Sequence, residues 1–417
     1  MFTRYMPILL VTMLLAGVSN AAEEESTDWN TTTLTGDWGG ARTNLYSKGV
    51  SLAFSHKSDV LANLSGGIRR GTGWLGHTEA GIEMDMEKLL DWDDTTAYIH
   101  YHSQLGSKFN THYVGAFVGV DNIEAGTNTA QLYHAWVQKN FSENSLSVLA
   151  GLYPVDSEFY VTDTSGVFIQ PPYGMANDMA QTGQNGPPVF PLGALAVRVK
   201  YTTPGKNYYL QGALTDGVPG DPDNPHGTHI KLGNGDGPLS IVELGYIPSP
   251  EEEGYFNKTA IGWWRYSAQA NDLVDTDAFG NPLSRYDQGF YFLAERTLYS
   301  GQNDPVQGLS GFIRFGTVNR DIHQSDWTGS LGLRSQGLFA GRDDDIAGIA
   351  VTFNHASEKY RLLNNADSGE TNVEITYRAQ LKPWLALQPT LQYFRNLNMD
   401  PVQKDAWVMG VRVEIDF

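Results

Sequence analysis

The sequence predicts an all-β fold, a transmembrane antiparallel β-barrel of about sixteen strands with a short N-terminal helix and long loops folded inward. Three observations carry this reading. Segments of alternating apolar and polar residues recur along the whole chain. Tight turns and long connections alternate between those segments. The mean hydropathy is negative, and beyond the N-terminus no apolar run is long enough for a spanning helix. Composition narrows the function. The 417 residues hold 28 Lys+Arg against 47 Asp+Glu, a net charge of −19, which argues against nucleic acid as a partner. There is no Cys, so disulfides, thiolate metal sites and Cys nucleophiles are excluded.

The N-terminus reads as an export signal. Arg4 precedes an apolar run from Pro7 to Val18, and Ser19-Asn20-Ala21 supplies the small residues of a cleavage site. Residues 1–21 are therefore expected to be a signal peptide. Residues 22–48 follow as a periplasmic segment in which Asp37 caps a short helix and Gly49 ends it. Residues 49–417 form the barrel.

The strand pattern is clearest at the C-terminus. Trp407, Met409, Val411, Val413, Ile415 and Phe417 alternate with Val408, Gly410, Arg412, Glu414 and Asp416. In a barrel crossing lipid, the apolar face meets lipid and the polar face lines the lumen. The same period recurs in Val373–Gln380, Leu195–Tyr201, Glu79–Met86 and Val50–Lys57. The segments fall at approximately 50–60, 74–87, 94–104, 129–139, 145–152, 193–201, 207–214 and 239–247. The second half adds approximately 257–267, 288–298, 308–318, 326–337, 345–354, 371–380, 384–394 and 407–417. In 257–267 and 288–298 aromatics occupy both parities, so their facing is open. Pro389 lacks an amide hydrogen and should cost its ladder a bond.

Phe141–Asn144, Thr202–Gly205 and Leu381–Pro383 read as tight turns. Leu105–Asn128, Tyr153–Leu192, Thr215–Pro238, Ala268–Gln288 and His355–Glu370 read as long connections. Short turns on one side and long loops on the other are the outer-membrane pattern, and an even strand count places both termini in the periplasm.

Against this background the chain resembles the carbohydrate-selective porin (OprB-type) family. The resemblance rests on Gly36-Asp37-Trp38-Gly39-Gly40-Ala41-Arg42, Gly49-Val50-Ser51-Leu52, Leu64–Thr72 and Asp156-Ser157-Glu158-Phe159. It continues in Thr376–Gln380, Pro383-Trp384-Leu385 and Leu387-Gln388-Pro389. It implies a sixteen-stranded outer-membrane barrel for passive uptake of sugars such as glucose. The implied partners are small neutral sugars, outer-membrane lipid and lipopolysaccharide, and the barrel-assembly machinery through the strand ending in Phe417. Porin analogy adds a homotrimer. No cofactor or metal is implied.

A sixteen-stranded barrel leaves a wide lumen, so selectivity requires a constriction. The connections Leu105–Asn128 and Tyr153–Leu192 are the candidates. The second is stiffened by Pro171-Pro172 and Pro187-Pro188 and carries Phe159, Tyr160, Phe168 and Phe190 for packing against the wall. Arg and carboxylate groups suit vicinal hydroxyls, and aromatic rings suit apolar sugar faces. The resemblance points to arginine in the constriction, at Arg69 and Arg70; the bland alternative is a solvated loop pair. Glu79, Glu83 and Asp85 face the lumen as further candidates or as ordinary lining. Trp74 is a stacking platform or a membrane-interface residue. Where the family pattern has Trp after the Gly matched by Gly174, this chain has Met175, so that stacking contribution does not carry over. Arg198, Arg314, Arg334, Arg378 and Arg412 share inward parity, as a basic track or as partners of carboxylates such as Glu374 and Glu414.

Catalytic and metal motifs fail. His100 and His102 share one strand face without a third ligand nearby. Asp221–Pro225 lacks the spacing of a calcium loop, and Gly233–Gly237 lacks the Lys-Ser/Thr of a phosphate loop. A general porin, a barrel enzyme and a soluble lectin are the alternatives. The enzyme has no constellation to support it, and the lectin has no reason to sort its turns by length.

Overall fold

The computed structural model describes residues 28–205, 207–233, 235–248, 255–301 and 306–417. The expected signal peptide, residues 1–21, lies outside them. Sixteen antiparallel strands close into a barrel in which each pairs with its sequence neighbours and the first pairs with the last. They are β1 (Val50–Ser65), β2 (Gly71–Asp85), β3 (Thr95–Gly106), β4 (Thr129–Phe141), β5 (Leu146–Tyr153), β6 (Ala194–Thr202), β7 (Tyr208–Thr215) and β8 (Leu239–Tyr246). The circuit continues through β9 (Asn257–Thr276), β10 (Pro282–Ser300), β11 (Gly308–Val318), β12 (Ser325–Gln336), β13 (Ile346–Ala356), β14 (Gly369–Lys382), β15 (Leu385–Arg395) and β16 (Ala406–Asp416).

Alternation sorts the side chains as the sequence requires. On β16, Trp407, Met409 and Val411 are exposed on the outer face, while Val408 and Arg412 are buried within. Val197, Leu210, Ile261, Phe290, Ile313, Leu331, Ile349 and Ile375 continue this apolar outer band around the circumference. At Pro389 the β14–β15 ladder passes from Thr376↔Thr390 to Ala379↔Leu387 with no pairing between, as the missing amide hydrogen demands.

One predicted connection is instead strand. Residues 268–288 were expected to be a long loop, but β9 and β10 run on as a ribbon joined by residues 277–281 only. The ribbon is polar on both faces, so it lacks the lipid-facing periodicity that marks a spanning strand. Charge holds it instead. The Lys359 ammonium lies 2.8 Å from Asp272, 2.8 Å from Asp275 and 2.9 Å from Asp321, and Arg285 adds a 2.8 Å contact to Asp272.

The interior is not simply water. Three apolar clusters of described residues lie inside the barrel, between the wall and the inward-folded connections 107–128 and 154–193, the smallest packing Val167, Phe168 and Tyr173 on Phe312, Ile346 and Ala350. Phe109, Val114, Val118, Val120 and Ile123 pack on Leu61, Leu75, Phe394 and Val408. Tyr160, Met175 and Met179 pack on Trp264, Tyr291 and Leu293. This settles the facing of β9 and β10: their inward aromatics meet a loop, not a pore.

The N-terminal segment closes the short-turn end. Asp37 accepts the Thr43 N–H at 2.8 Å within the helix Ala41–Ser47, and Gly49, at φ +91°, ends it in a left-handed turn. Arg42 is buried and donates to the main-chain oxygen of Phe417 at 2.5 Å, to Thr33 Oγ1 at 2.8 Å and to Gly36 O at 3.3 Å. Its guanidinium also lies over the Trp38 and Trp29 rings, at 4.3 and 5.0 Å. The Leu34 N–H donates to Asp416 O at 2.8 Å, so one segment spans the β1–β16 seam.

Arg42→Ala is expected to lower barrel stability by about 2 kcal/mol through loss of these charge-assisted bonds. The measurement is the temperature of the folded-to-unfolded mobility shift in detergent gels.

Candidate functional site

The inward connections carry backbone N–H and C=O groups away from water, and each needs a partner. Inward side chains of the strands provide them. On β8, Glu243 is buried and accepts the Tyr160 N–H at 2.9 Å, with Tyr209 and Tyr291 hydroxyls at 2.6 and 2.7 Å. Glu295 of β10 accepts the Thr164 N–H at 2.7 Å. Glu374 of β14 accepts the N–H groups of Ile169 and Gln170, both at 2.9 Å. Glu370, one turn of the pleat above it, accepts those of Phe117 at 2.8 Å and Val118 at 3.2 Å.

Arginines hold the carbonyls. Arg314 of β11 donates to Tyr160 O, Pro172 O, Tyr173 O and Gly174 O at 2.8–3.1 Å, with the Tyr160 ring 4.5 Å away. Arg412 of β16 grips Asp59 and reaches Asp121 at 3.2 Å and Asn122 Oδ1 at 2.7 Å. Arg198 of β6 pairs with Glu158 at 2.7 Å. In the 154–193 connection, burial pushes the Asp178 carboxyl up to about 7 and the Asp156 carboxyl up to about 6.

The two connections also meet each other. The Asn122 N–H donates to Ile169 O at 2.8 Å, and Asn177 Nδ2 donates to Phe117 O at 3.4 Å. Gly119, at φ +80°, passes beneath Pro171, where an added Cβ would stand 3.1 Å from the ring. The connections thus form one continuous lining over much of the inner wall.

Among the described residues, the inward charged side chains that stay partly open include Lys200 on β6 and a connected row across β14, β16, β1 and β2. Arg378 pairs with Glu414 at 2.7 Å. Glu414 stands opposite Lys57 in the β1–β16 register, and Lys57 lies 3.9 Å from Glu79. The four side chains keep 21%, 20%, 27% and 15% of their surface. The anchoring groups Glu243, Glu374 and Arg314 keep none or almost none. The row can therefore exchange hydrogen bonds with a solute, and the anchors cannot.

Of the residues singled out from sequence, Glu79 lies in this row and Glu83 lies further along the same face of β2. Arg69 and Arg70 are exposed in the 66–70 connection, where Arg69 donates to His112 O at 3.1 Å and lies 4.8 Å from the Tyr113 ring. Trp74 is on the outer face, donating to Ser58 Oγ at 2.8 Å, the position of an interface residue. Asp85 caps the helix Met86–Leu90 at the short-turn end. Met175 is buried in the apolar cluster rather than at an open surface. The structure does not bring these six together as one site.

Sequence reading missed a histidine cluster. His100 and His102 do face inward, and β2 and β4 add His77 and His134. The extra residue at the β3–β4 bulge, Tyr133, allows both Tyr133 and His134 to point inward. Among the described residues no group of three or more His, Asp or Glu converges on a metal geometry. The acidic turn at Asp221 and Asp223 is filled by Lys231, at 2.8 and 3.2 Å.

Residues 69–417 match the family model of the carbohydrate-selective porins, OprB family. The chain is similar to Porin B of Pseudomonas aeruginosa, 24% identical over 97% of this chain and 95% of that protein. It is similar to the putative porin QuiX of Acinetobacter baylyi, also 24% identical, over 92% and 93%. Its fold resembles the high-pH structure of Pseudomonas putida OprB, with a TM-score of 0.84, 22% identity, and coverage of 93% of this chain and 99% of that one. The outer membrane channel DcaP of Acinetobacter baumannii is more distant, with a TM-score of 0.56, 9% identity, and coverage of 88% and 97%.

Arg314→Ala leaves the carbonyls of Tyr160, Pro172 and Gly174 without a donor, each at a cost of about 1–3 kcal/mol, while Tyr173 O keeps Ser165 Oγ at 2.7 Å. The expected result is a folded barrel with raised and noisier single-channel conductance, recorded in planar bilayers beside a gel-shift control.

Proposed function

The chain belongs to the carbohydrate-selective porin family, a channel of the outer membrane rather than an enzyme, and from that premise we propose that it passes small neutral sugars, monosaccharides such as glucose, into the periplasm by passive diffusion. The observation that carries this reading is the open row Arg378–Glu414–Lys57–Glu79. It alternates donor and acceptor along the wall, and a sugar ring presents hydroxyls that do both. Each charge already has a partner, so a hydroxyl exchanges one hydrogen bond for another and binding stays weak enough for flux. Tyr98, half-buried beside the row, offers a ring for apolar C–H faces.

On this reading Arg69 and Arg70 stand at the outer mouth, where a solute first meets charge, and Glu83 and Asp85 line its exit. Residues 1–21 direct export and residues 22–48 stay in the periplasm. The strand ending in Phe417 engages the barrel-assembly machinery, lipopolysaccharide surrounds the outer band, and porin analogy favours a homotrimer.

The test is single-channel conductance of the purified protein with a panel of solutes. Neutral sugars are expected to block the current more strongly than amino acids or phosphate of similar size. Glu79→Gln and Arg378→Gln should each weaken sugar block about five- to tenfold, the net worth of one hydrogen bond of about 1 kcal/mol. Arg69→Ala or Arg70→Ala should weaken it less. Equal block by every solute would reduce the protein to a general porin.

A further inference from the structure

Four of the chain's ten histidines lie in one array that meets the sugar row only at Glu79. His77, His100, His102 and His134 are all buried, with centroids 5.4 Å apart for His77–His102, 5.9 Å for His100–His102 and 5.4 Å for His100–His134. The array is also the floor on which both ends of the 154–193 connection rest. His102 Nε2 is 3.1 Å from Pro191 O, and Phe190 packs edge-on against His77 and His102 at 5.5 and 5.6 Å. Tyr133, stacked on His102 at 4.7 Å, donates to Asp156 at 3.0 Å. Asp156 in turn accepts the Phe190 N–H at 2.9 Å. The first and last turns of the connection are thus tied to each other and to the imidazoles.

This arrangement is built for neutral rings. His77 Nδ1 and His102 Nδ1 are buried without a partner, so a proton added there has no acceptor. His134 Nδ1 faces the Trp136 indole N–H at 3.3 Å, and a proton there sets donor against donor. The charged and titratable groups facing the array are few. From β2 comes Glu79, 3.0 Å from His77 and 3.8 Å from His100, and already beside Lys57 of β1. From β3 and β4 come Tyr98 and Tyr133, and Tyr153 of β5 lies near Tyr133. From the connection comes Asp156, whose carboxyl burial holds at about 6, so its charge is also lost in mild acid. One partly buried carboxylate already beside Lys57 cannot neutralise four imidazolium rings.

We propose that the four histidines form an acid-operated latch that holds the two ends of the 154–193 connection to the wall while neutral and releases them when charged, switching the conductance of the pore. The latch regulates the channel described above and rests on that reading. Because several rings share one packed space, charging one opens the array to the others, and release is cooperative.

The experiment is single-channel recording of the purified full chain between about pH 7.5 and about pH 4.5, spanning the imidazole range. The wild type is expected to step to a second conductance level with a slope of more than one proton. The variant His102→Gln/His134→Asn keeps polar partners without charge and should flatten the slope to one proton or less and lower the midpoint. A wild type with one conductance level throughout, or a folded variant with the same midpoint and slope, overturns the latch. If the variant does not fold, hydrogen exchange in the wild type decides. After correction for intrinsic rates, residues 186–193 should lose about tenfold protection in acid, and unchanged protection rejects the proposal. Sugar block at neutral pH reports separately on the channel reading. A protein blocked by sugars but without an acid transition fails the latch alone.

Discussion

A folded-in loop must find hydrogen-bond partners for its backbone, and this requirement organises the interior of the barrel. The connections 107–128 and 154–193 contain too little regular structure to satisfy themselves. The wall does it for them. Glutamates on β8, β10 and β14 accept loop N–H groups, and Arg314 collects loop carbonyls. A carboxylate accepting two backbone N–H groups, as Glu374 does from Ile169 and Gln170, fixes a peptide in position and direction at once. Apolar packing of Tyr160 on Tyr291 and of Val118 and Ile123 on β15 and β16 then removes water from those bonds and strengthens them. Glu243 and Glu374, buried and hydrogen-bonded through both carboxylate oxygens, hold the middle of the 154–193 connection against the wall.

This organisation explains what the sequence could and could not reveal. The outer face repeats every second residue and faces one uniform environment, so the strands β1 to β16 were legible almost to their ends. The polar ribbon of β9 and β10 beyond the membrane was not, because it has no such face and is held by Lys359, far away in the chain. Inner residues share one parity whatever they do. Glu374 and Glu414 read alike, and Arg314 and Arg378 read alike. Their roles part only because a loop 205 residues from Glu374 and 141 residues from Arg314 covers the first of each pair. The anticipated pairing of Arg378 with Glu414 was local and readable. The four carbonyls on Arg314 were not.

The same reasoning separates the histidines from the sequence signal. His100 and His102 show as a pair by simple alternation. His134 joins them only through the bulge at Tyr133, and His77 only through the β2–β3 register. A bulge is a one-residue event with no composition of its own here, so strand periodicity passes over it. Aligning His100 opposite His134 would have exposed the array, and that alignment is a product of tertiary structure.

On the proposed function, selectivity for a neutral solute would follow from which polar groups the loops leave uncovered. A lumen lined by one sign of charge would hold ions by long-range force and let sugars pass unnoticed. The open row instead alternates Arg378, Glu414, Lys57 and Glu79, so its field decays within a side-chain length while its hydrogen-bonding capacity remains. A solute must come into contact to gain anything, and it gains only by presenting donors and acceptors at similar spacing. The anchors achieve the opposite with the same residue types. Buried, the anchors hold a peptide; partly exposed and paired to each other, the row would hold a hydroxyl only briefly. Burial, more than residue identity, divides the interior into scaffold and path.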